Sequence, residues 1–161
     1  MKPRIVVVDD EDNIIGYKLR EDVDAENLRY RITSLWITNS KGEFLLARRT
    51  HTKSHNPRMW GPAVAGTVDE GESYEDNIIK EAEEELGLKN IKIKKGPKIK
   101  RDGKHKSFSQ RFTCVLDKPI EEFKIQEEEV AEIKWFSREE LRKSIQINPD
   151  EFLDSVKMLL D

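Results

Sequence analysis

Glu81, Glu84 and Glu85 stand at i, i+3 and i+4 within residues 66–88, GTVDEGESYEDNIIKEAEEELGL. On a helix that spacing turns the three carboxylates onto one face. In water such a face is unfavourable: like charges at i and i+4 repel by roughly 0.2–0.5 kcal/mol, and acids in the last turn oppose the helix dipole by about 0.3–1 kcal/mol each. A divalent cation reverses both signs. An all-oxygen donor set suits Mg²⁺ or Mn²⁺, and magnesium in particular leaves coordination sites for substrate phosphates. The alternative is a solvated acidic face, the commoner use of charge on helices, and helix geometry alone leaves both readings open.

The element that must carry these acids is well marked. Ser73 is an N-cap with Asp76 at the capping-box position N3, and Gly87 suits the left-handed residue that ends a helix. These signals predict a helix from Tyr74 to Leu86. Tyr74, Ile78, Ala82 and Leu86 recur every four residues as its buried stripe, with Ile79 at the margin and Glu85 angled between Tyr74 and Ile78. Three acids therefore meet beside the core.

Around this helix the chain reads mostly as strands. Residues 4–19 predict a hairpin turning at Asp9 to Asn13. Arg29 to Thr38 is a central strand containing Leu35, Trp36 and Ile37, and Asn39 to Gly42 turns into a strand from Phe44 to Arg49. Trp60-Gly61-Pro62 and a short strand, Ala63 to Val68, lead into the acidic stretch. Beyond it, Ile91 to Lys94 and Lys98 to Arg101 read as strands, with Asp102-Gly103 as a tight turn into Phe108 to Leu116. A strand from Ala131 to Phe136 supplies Ile133, Trp135 and Phe136 to the core. Ser137 with Glu140 caps a short helix, and Asn148-Pro149 opens a last helix with Phe152, Val156 and Leu160 on one face.

A chain of 161 residues is expected to form one domain, residues 1–161, burying around two-thirds of its unfolded surface. Its core spans about 29–146, between the N-terminal hairpin and the C-terminal helix. The longest aliphatic run, Ile5 to Val8, is too short for a bilayer, and residues 1–12 lack a signal-peptide pattern, so the expected compartment is the cytoplasm. The single cysteine, Cys114, predicts a buried reduced thiol. A net charge of −3 suggests neither nucleic acid nor an anionic membrane as a partner. The lysines between Lys89 and Lys106 alternate with isoleucines, as on half-exposed strand edges, and no aromatic residues interleave to stack bases, which favours edge protection over a polyanion site.

Arg48 and Arg49 enter the loop Thr50 to Met59, which holds Lys53, His55 and Arg58. They are ordinary loop charges, or cations that hold phosphates near the acid cluster. His51 and His55 are four apart in a loop broken by Pro57, a spacing that defines no zinc site, and they read as non-ligands. Glu127 to Glu129 read as solvent-facing charges.

Gly66, Glu72, Lys80, Glu81, Ala82, Glu84, Glu85, Gly87 and Leu88 resemble the box of Nudix hydrolases, G-x5-E-x7-R-E-U-x-E-E-x-G-U, with U aliphatic or similar. Lysine in place of arginine at 80 is the one departure. The resemblance implies an α/β/α sandwich around a central mixed sheet. It also implies that Glu81, Glu84, Glu85 and the carbonyl of Gly66 bind Mg²⁺ or Mn²⁺, with Glu72 and Lys80 bracing the loop. The implied reaction is attack of water on a diphosphate linkage in a nucleoside diphosphate derivative or similar metabolite. Glu85, or one of Glu127 to Glu129, is then the base. Lysine at 80 keeps the charge of arginine but loses its two-pronged bonding, which implies a looser brace.

Asp9-Asp10-Glu11, Ile15-Gly16, Asn39-x-Lys41-Gly42, Arg48-Arg49, Lys53, Pro57 and Trp60 resemble the isopentenyl-diphosphate isomerase branch of the same superfamily, over residues 5–140. That isomerase uses a Cys-Gly-His arrangement where this chain has Ala65, Gly66 and Thr67, so the hydrolase reading leads. The isomerase and a non-catalytic module holding a phosphorylated ligand are the alternatives. The expected partner is a small diphosphate substrate, without nucleic acid polymer or membrane, and a homodimer stays open.

Overall fold

A computed structural model of the protein describes residues 2–53 and 55–161. The expected antiparallel hairpin is present as Arg4–Val8 (β1) and Ile14–Leu19 (β2). A short helix, Arg20–Glu26 (α1), follows it and leads to Arg29–Thr38 (β3). The sequence gives little notice of α1, in which Val23 is the one buried side chain. Next come Phe44–Arg49 (β4), Trp60–Pro62 (β5), Val64–Thr67 (β6) and the helix Tyr74–Leu86 (α2). Lys94–Arg101 (β7), Ser107–Val115 (β8), Val130–Phe136 (β9), Arg138–Ile147 (α3) and Asp154–Lys157 (α4) complete the regular elements.

β3 organises the sheet. Along one edge it pairs in parallel with β8 from Tyr30 to Thr38. Along the other it meets β1, β6 and β4 in succession, all antiparallel. β7 extends the sheet beyond β8, and β5 and β9 flank β4. Because successive side chains alternate between faces, Leu35, Ile37, Leu45 and Ala47 pack with Ile78, Ala82 and Leu86 of α2. Trp36, Leu46, Trp60 and Phe136 pack on the other face with Leu141 of α3 and with Phe152 and Val156. The result is the expected α/β/α sandwich on a mixed sheet. Burial of a large aliphatic side chain stabilises by roughly 1.5–3 kcal/mol, so the fully buried Ile78 and Leu86 anchor α2 firmly.

Three expectations change. Ile91 to Ile93 is not strand, and β7 is one strand that breaks register between Lys95 and Lys98. There Pro97 has no N–H to give, and the Gln110 amide bonds the Gly96 carbonyl at 2.8 Å. The connection after Asp102-Gly103 runs to Lys106 rather than turning tightly, with Asp102 drawn to Arg29. The C-terminal helix is broken into Pro149–Glu151, α4 and Met158–Leu160. Phe152 is extended between the first two, because the Leu153 N–H donates to the Trp60 carbonyl at 3.0 Å. Among the described residues no helix is long and apolar enough to cross a membrane.

Candidate active site

α2 is capped as its sequence predicts. The Ser73 hydroxyl accepts from the Asp76 N–H at 3.0 Å, Asp76 accepts from the Ser73 N–H at 3.1 Å, and Gly87 ends the helix at φ 69°. Beside the apolar stripe lies a residue that the periodicity gave no reason to single out. Asn77 is fully buried. Its amide donates to the Thr67 carbonyl at 2.9 Å and to Glu72 at 3.1 Å, and its oxygen accepts from the Thr33 hydroxyl at 2.5 Å. These bonds fix α2 to β3 and to the loop that precedes it. A buried polar side chain on a helix flank is the signal, but it cannot be told from a surface asparagine until its partners are known.

The loop is held from both ends. Glu72 accepts from the Asp69 N–H at 2.8 Å and from the Lys80 ammonium at 2.6 Å. Lys80 also donates to Asp69 at 3.1 Å. Burial alone would lower the Lys80 ammonium, but the bonds from Glu72 and Asp69 raise it well above the usual lysine value. Gly66 is required for space: a Cβ there would lie 2.5 Å from Cγ of Glu81 and 2.7 Å from the Asn77 oxygen. The backbone of β6 is thereby brought directly against the acids of α2.

Glu81, Glu84 and Glu85 all line one cavity of about 810 Å³. Glu85 is buried, at 8% exposure, and hydrogen bonds to Glu81. Burial first, then the hydrogen bond and charge of Glu81, push the Glu85 carboxyl up to about 9. Glu81 is raised too, chiefly by burial. The cluster holds its protons because its members cannot all ionise at low cost so close together, and a hard divalent cation would reverse that cost. The donor set and the close approach at Gly66 both fit such an ion.

Arg48, Arg49 and Lys53 line the same cavity. Burial, followed by the charge of Arg49, lowers the Lys53 ammonium, and Glu85 and Glu81 act on it in the opposite sense. Arg58 does not join them. It sits exposed in a turn at φ 64°, contributing its carbonyl to Arg48 at 3.0 Å. Of the acids before β9, Glu129 lines the cavity and pairs with Lys53, whereas Glu127 and Glu128 are exposed outside it. Cys114 is a free, buried thiol, raised by that burial.

The two loop histidines part company in the fold. His51 is exposed on a turn, but His55 stacks on His105 with ring centroids 4.2 Å apart. With Asp24 they bring ligand atoms within 4.8 Å of one another, a group able to hold a metal ion. Arg20 occupies the same corner, 3.5 Å from His55 Nδ1 and 3.5 Å from Asp24. The partners come from α1 and from the β7–β8 connection, distances in sequence that no short motif spans.

The NUDIX domain model matches residues 28–156. The chain belongs to the Nudix family. As a Nudix chain it is an enzyme of the pyrophosphohydrolase type, in a family that generally works with a divalent metal. The uncharacterized Nudix hydrolase YfcD of Escherichia coli (strain K12) is 33% identical over 155 residues, covering 95% of this chain and 82% of that protein. The uncharacterized Nudix hydrolase PA4841 of Pseudomonas aeruginosa is 30% identical over 161 residues, covering 98% and 93%. Among solved structures, DR0079 from Deinococcus radiodurans superposes with a TM-score of 0.76 at 24% identity, covering 90% of each chain. The NUDIX domain of Shewanella oneidensis NrtR complexed with ADP ribose gives 0.59 at 19% identity, covering 73% and 77%.

Proposed function

We propose that this Nudix chain works as one domain that hydrolyses a diphosphate linkage in a nucleoside diphosphate derivative or a similar small metabolite, with Mg²⁺ or Mn²⁺. The observation that carries this reading is the convergence of Glu81, Glu84 and Glu85 with Arg48, Arg49 and Lys53 on one cavity. Glu81, Glu84, Glu85 and the Gly66 carbonyl would hold the cation. Once bound, it would offset charge on the diphosphate oxygens and lower the pKa of a coordinated water.

The chain's own residues do the rest. Arg49 and Lys53 receive phosphate oxygens through charge-assisted hydrogen bonds, and the half-buried cavity strengthens those bonds by excluding bulk water. We assign proton acceptance from the attacking water to Glu129, because Glu81 and Glu85 are committed to the cation. Lys53 steers Glu129 into the cavity.

An isomerase-like activity is the second reading, and the residues beside Gly66 argue against it. Ala65 and Thr67 both line the cavity, and neither a methyl group nor a hydroxyl replaces a catalytic thiol or a ligating imidazole. The ADP ribose held by the NrtR domain is a nucleoside diphosphate derivative, and it is the first compound to try. The test is a panel of such derivatives with Mg²⁺, comparing wild type with Glu84→Gln and Glu85→Gln. Each substitution is expected to cost at least about 10- to 100-fold, the loss that even outer-shell metal partners bring. Wild-type turnover that both variants retain would sink the site assignment.

A further inference from the structure

Most cations of the cavity face an acid. Arg20 lies by Asp24, Arg48 by Glu132 and Lys53 by Glu129, and the Glu85 charge acts on Arg49. Arg111 of β8 is different. It lines the cavity half-buried, its guanidinium lies over the Trp36 ring at 5.2 Å, and Trp36 is itself fixed by its Nε1–H bond to Ser34 at 3.0 Å. Among the described residues its Nη2 is buried with no hydrogen-bond partner. The charge that bears on it is another cation, Arg101, which also lines the cavity. A buried donor without an acceptor is destabilising, and more so when it is charged. An arginine with its guanidinium over an indole, in a cavity shared with a second arginine, is therefore arranged for an anion the protein does not supply.

Strand register locates it. Ala65, Ser34 and Arg111 lie opposite one another on β6, β3 and β8. Gly66, next to Ala65, lies directly against Glu81, so the acid cluster stands at one end of this row. Arg111 is at the other end, two strand spacings or about 10 Å away between backbones. A diphosphate held over the acids by Arg49 and Lys53 leaves Arg111 to the remainder of the substrate.

We propose that Arg111 is a specificity-determining residue that receives an oxyanion, phosphate or carboxylate, carried by the part of the substrate beyond the scissile diphosphate. The inference rests on the hydrolase reading for the position of that diphosphate. It selects for substrates with a second anionic group and against neutral analogues of the same size.

Two matched pairs test it and separate the sources of the charge: UDP-glucuronate against UDP-glucose for a carboxylate, and NADP⁺ against NAD⁺ for a phosphate. Wild type is expected to favour the charged member of at least one pair by about tenfold or more in kcat/KM, the low end for a charge-assisted hydrogen bond. Arg111→Gln should erase that preference by lowering the charged member alone, and Arg111→Lys should recover part of it. Equal losses on both members of a pair, or a wild type without preference in either pair, overturn the assignment. Calorimetric dissociation constants for the same four compounds, with the metal chelated, distinguish the two claims. A charged-member preference in binding without turnover of any compound leaves Arg111 assigned and fails the hydrolase reading. Turnover without preference does the reverse, and the absence of both overturns the two together.

Discussion

Asp12 and Glu85 are both buried carboxylates, 9% and 8% exposed, and they differ in every neighbour. Asp12 accepts from Arg31 at 2.8 Å, from Lys98 at 2.7 Å and from the Tyr74 hydroxyl at 2.9 Å. Burial raises its pKa, and the bonds from Lys98, Arg31 and Tyr74 more than reverse that, leaving it lowered. Glu85 has another glutamate for its closest partner and is raised. One site is complete within the chain and ties the N-terminal hairpin to the first turn of α2. The other has no matching charge at its centre, and in the proposed reading a cation from outside completes it. Burial with matched charge marks architecture, and burial with like charge marks a site that takes a ligand.

The sharpest way to break this contrast is to remove each acid. Asp12→Ala leaves Arg31 largely buried with a lost partner, and removal of one member of a buried pair costs about 3 kcal/mol or more. That is a fall of roughly 6–12 °C in Tm for a chain of this size. Turnover per folded molecule should stay within about twofold. Glu85→Gln should act in the opposite sense, raising the Tm of the metal-free protein while removing activity, because it replaces a carboxyl whose ionisation burial and Glu81 oppose. Thermal melts of both variants in chelator, paired with the substrate assay, check it. A Glu85→Gln protein less stable than wild type in chelator would mean that the acid is structural after all.

A smaller effect comes from pH, and the two acids give opposite signs. The Asp12 pKa is lowered on folding, so its contribution is present above the unfolded aspartate value and is lost as pH falls through its folded one. The Glu85 pKa is raised, so its contribution is present below the unfolded glutamate value and is lost as pH rises through its folded value of about 9. In chelator, the Tm advantage of Glu85→Gln over wild type should therefore grow between pH 5 and pH 9 by about 2–4 °C or more. Added Mg²⁺ should shrink that advantage, since it stabilises wild type alone. A difference independent of pH would show that Glu85 does not titrate across this window.

What the sequence disclosed follows the reach of each interaction. The limits of α2 were legible because Ser73, Asp76 and Gly87 act within a turn of one another, and the acids were legible because helix spacing is local. Asn77 was not, since its meaning lies in Thr33, 44 residues away. Proximity in the chain groups Arg58 with Arg48, Arg49 and Lys53, but in the fold it is exposed in a left-handed turn and does not line the cavity. Glu129 could be separated from Glu127 and Glu128 only by its pairing with Lys53. The broken C-terminal helix and the His55–His105 stack have the same cause. Each depends on a partner delivered by the sheet, and the periodicity of a single segment carries no record of it.

The mildest test concerns Lys80, where the family pattern has arginine. If two-pronged bonding were the whole of the brace, lysine would leave Glu72 loose. Glu72 is instead held on three sides, by the Lys80 ammonium, the Asp69 N–H and the Asn77 amide. One ammonium spans both Glu72 and Asp69, doing with a point charge what a guanidinium does with a fork. Lys80→Arg should therefore change kcat/KM by no more than about threefold, the scale of a partly exposed pair of 0.2–1 kcal/mol. Lys80→Gln, which removes the charge from two carboxylates at once, should cost more than Lys80→Arg gains. If Lys80→Arg instead raised activity by an order of magnitude, the loop before α2 would be the slack part of this site. The contrast would then lie between a rigid Asp12 knot and a mobile acid cluster rather than between matched and unmatched charge.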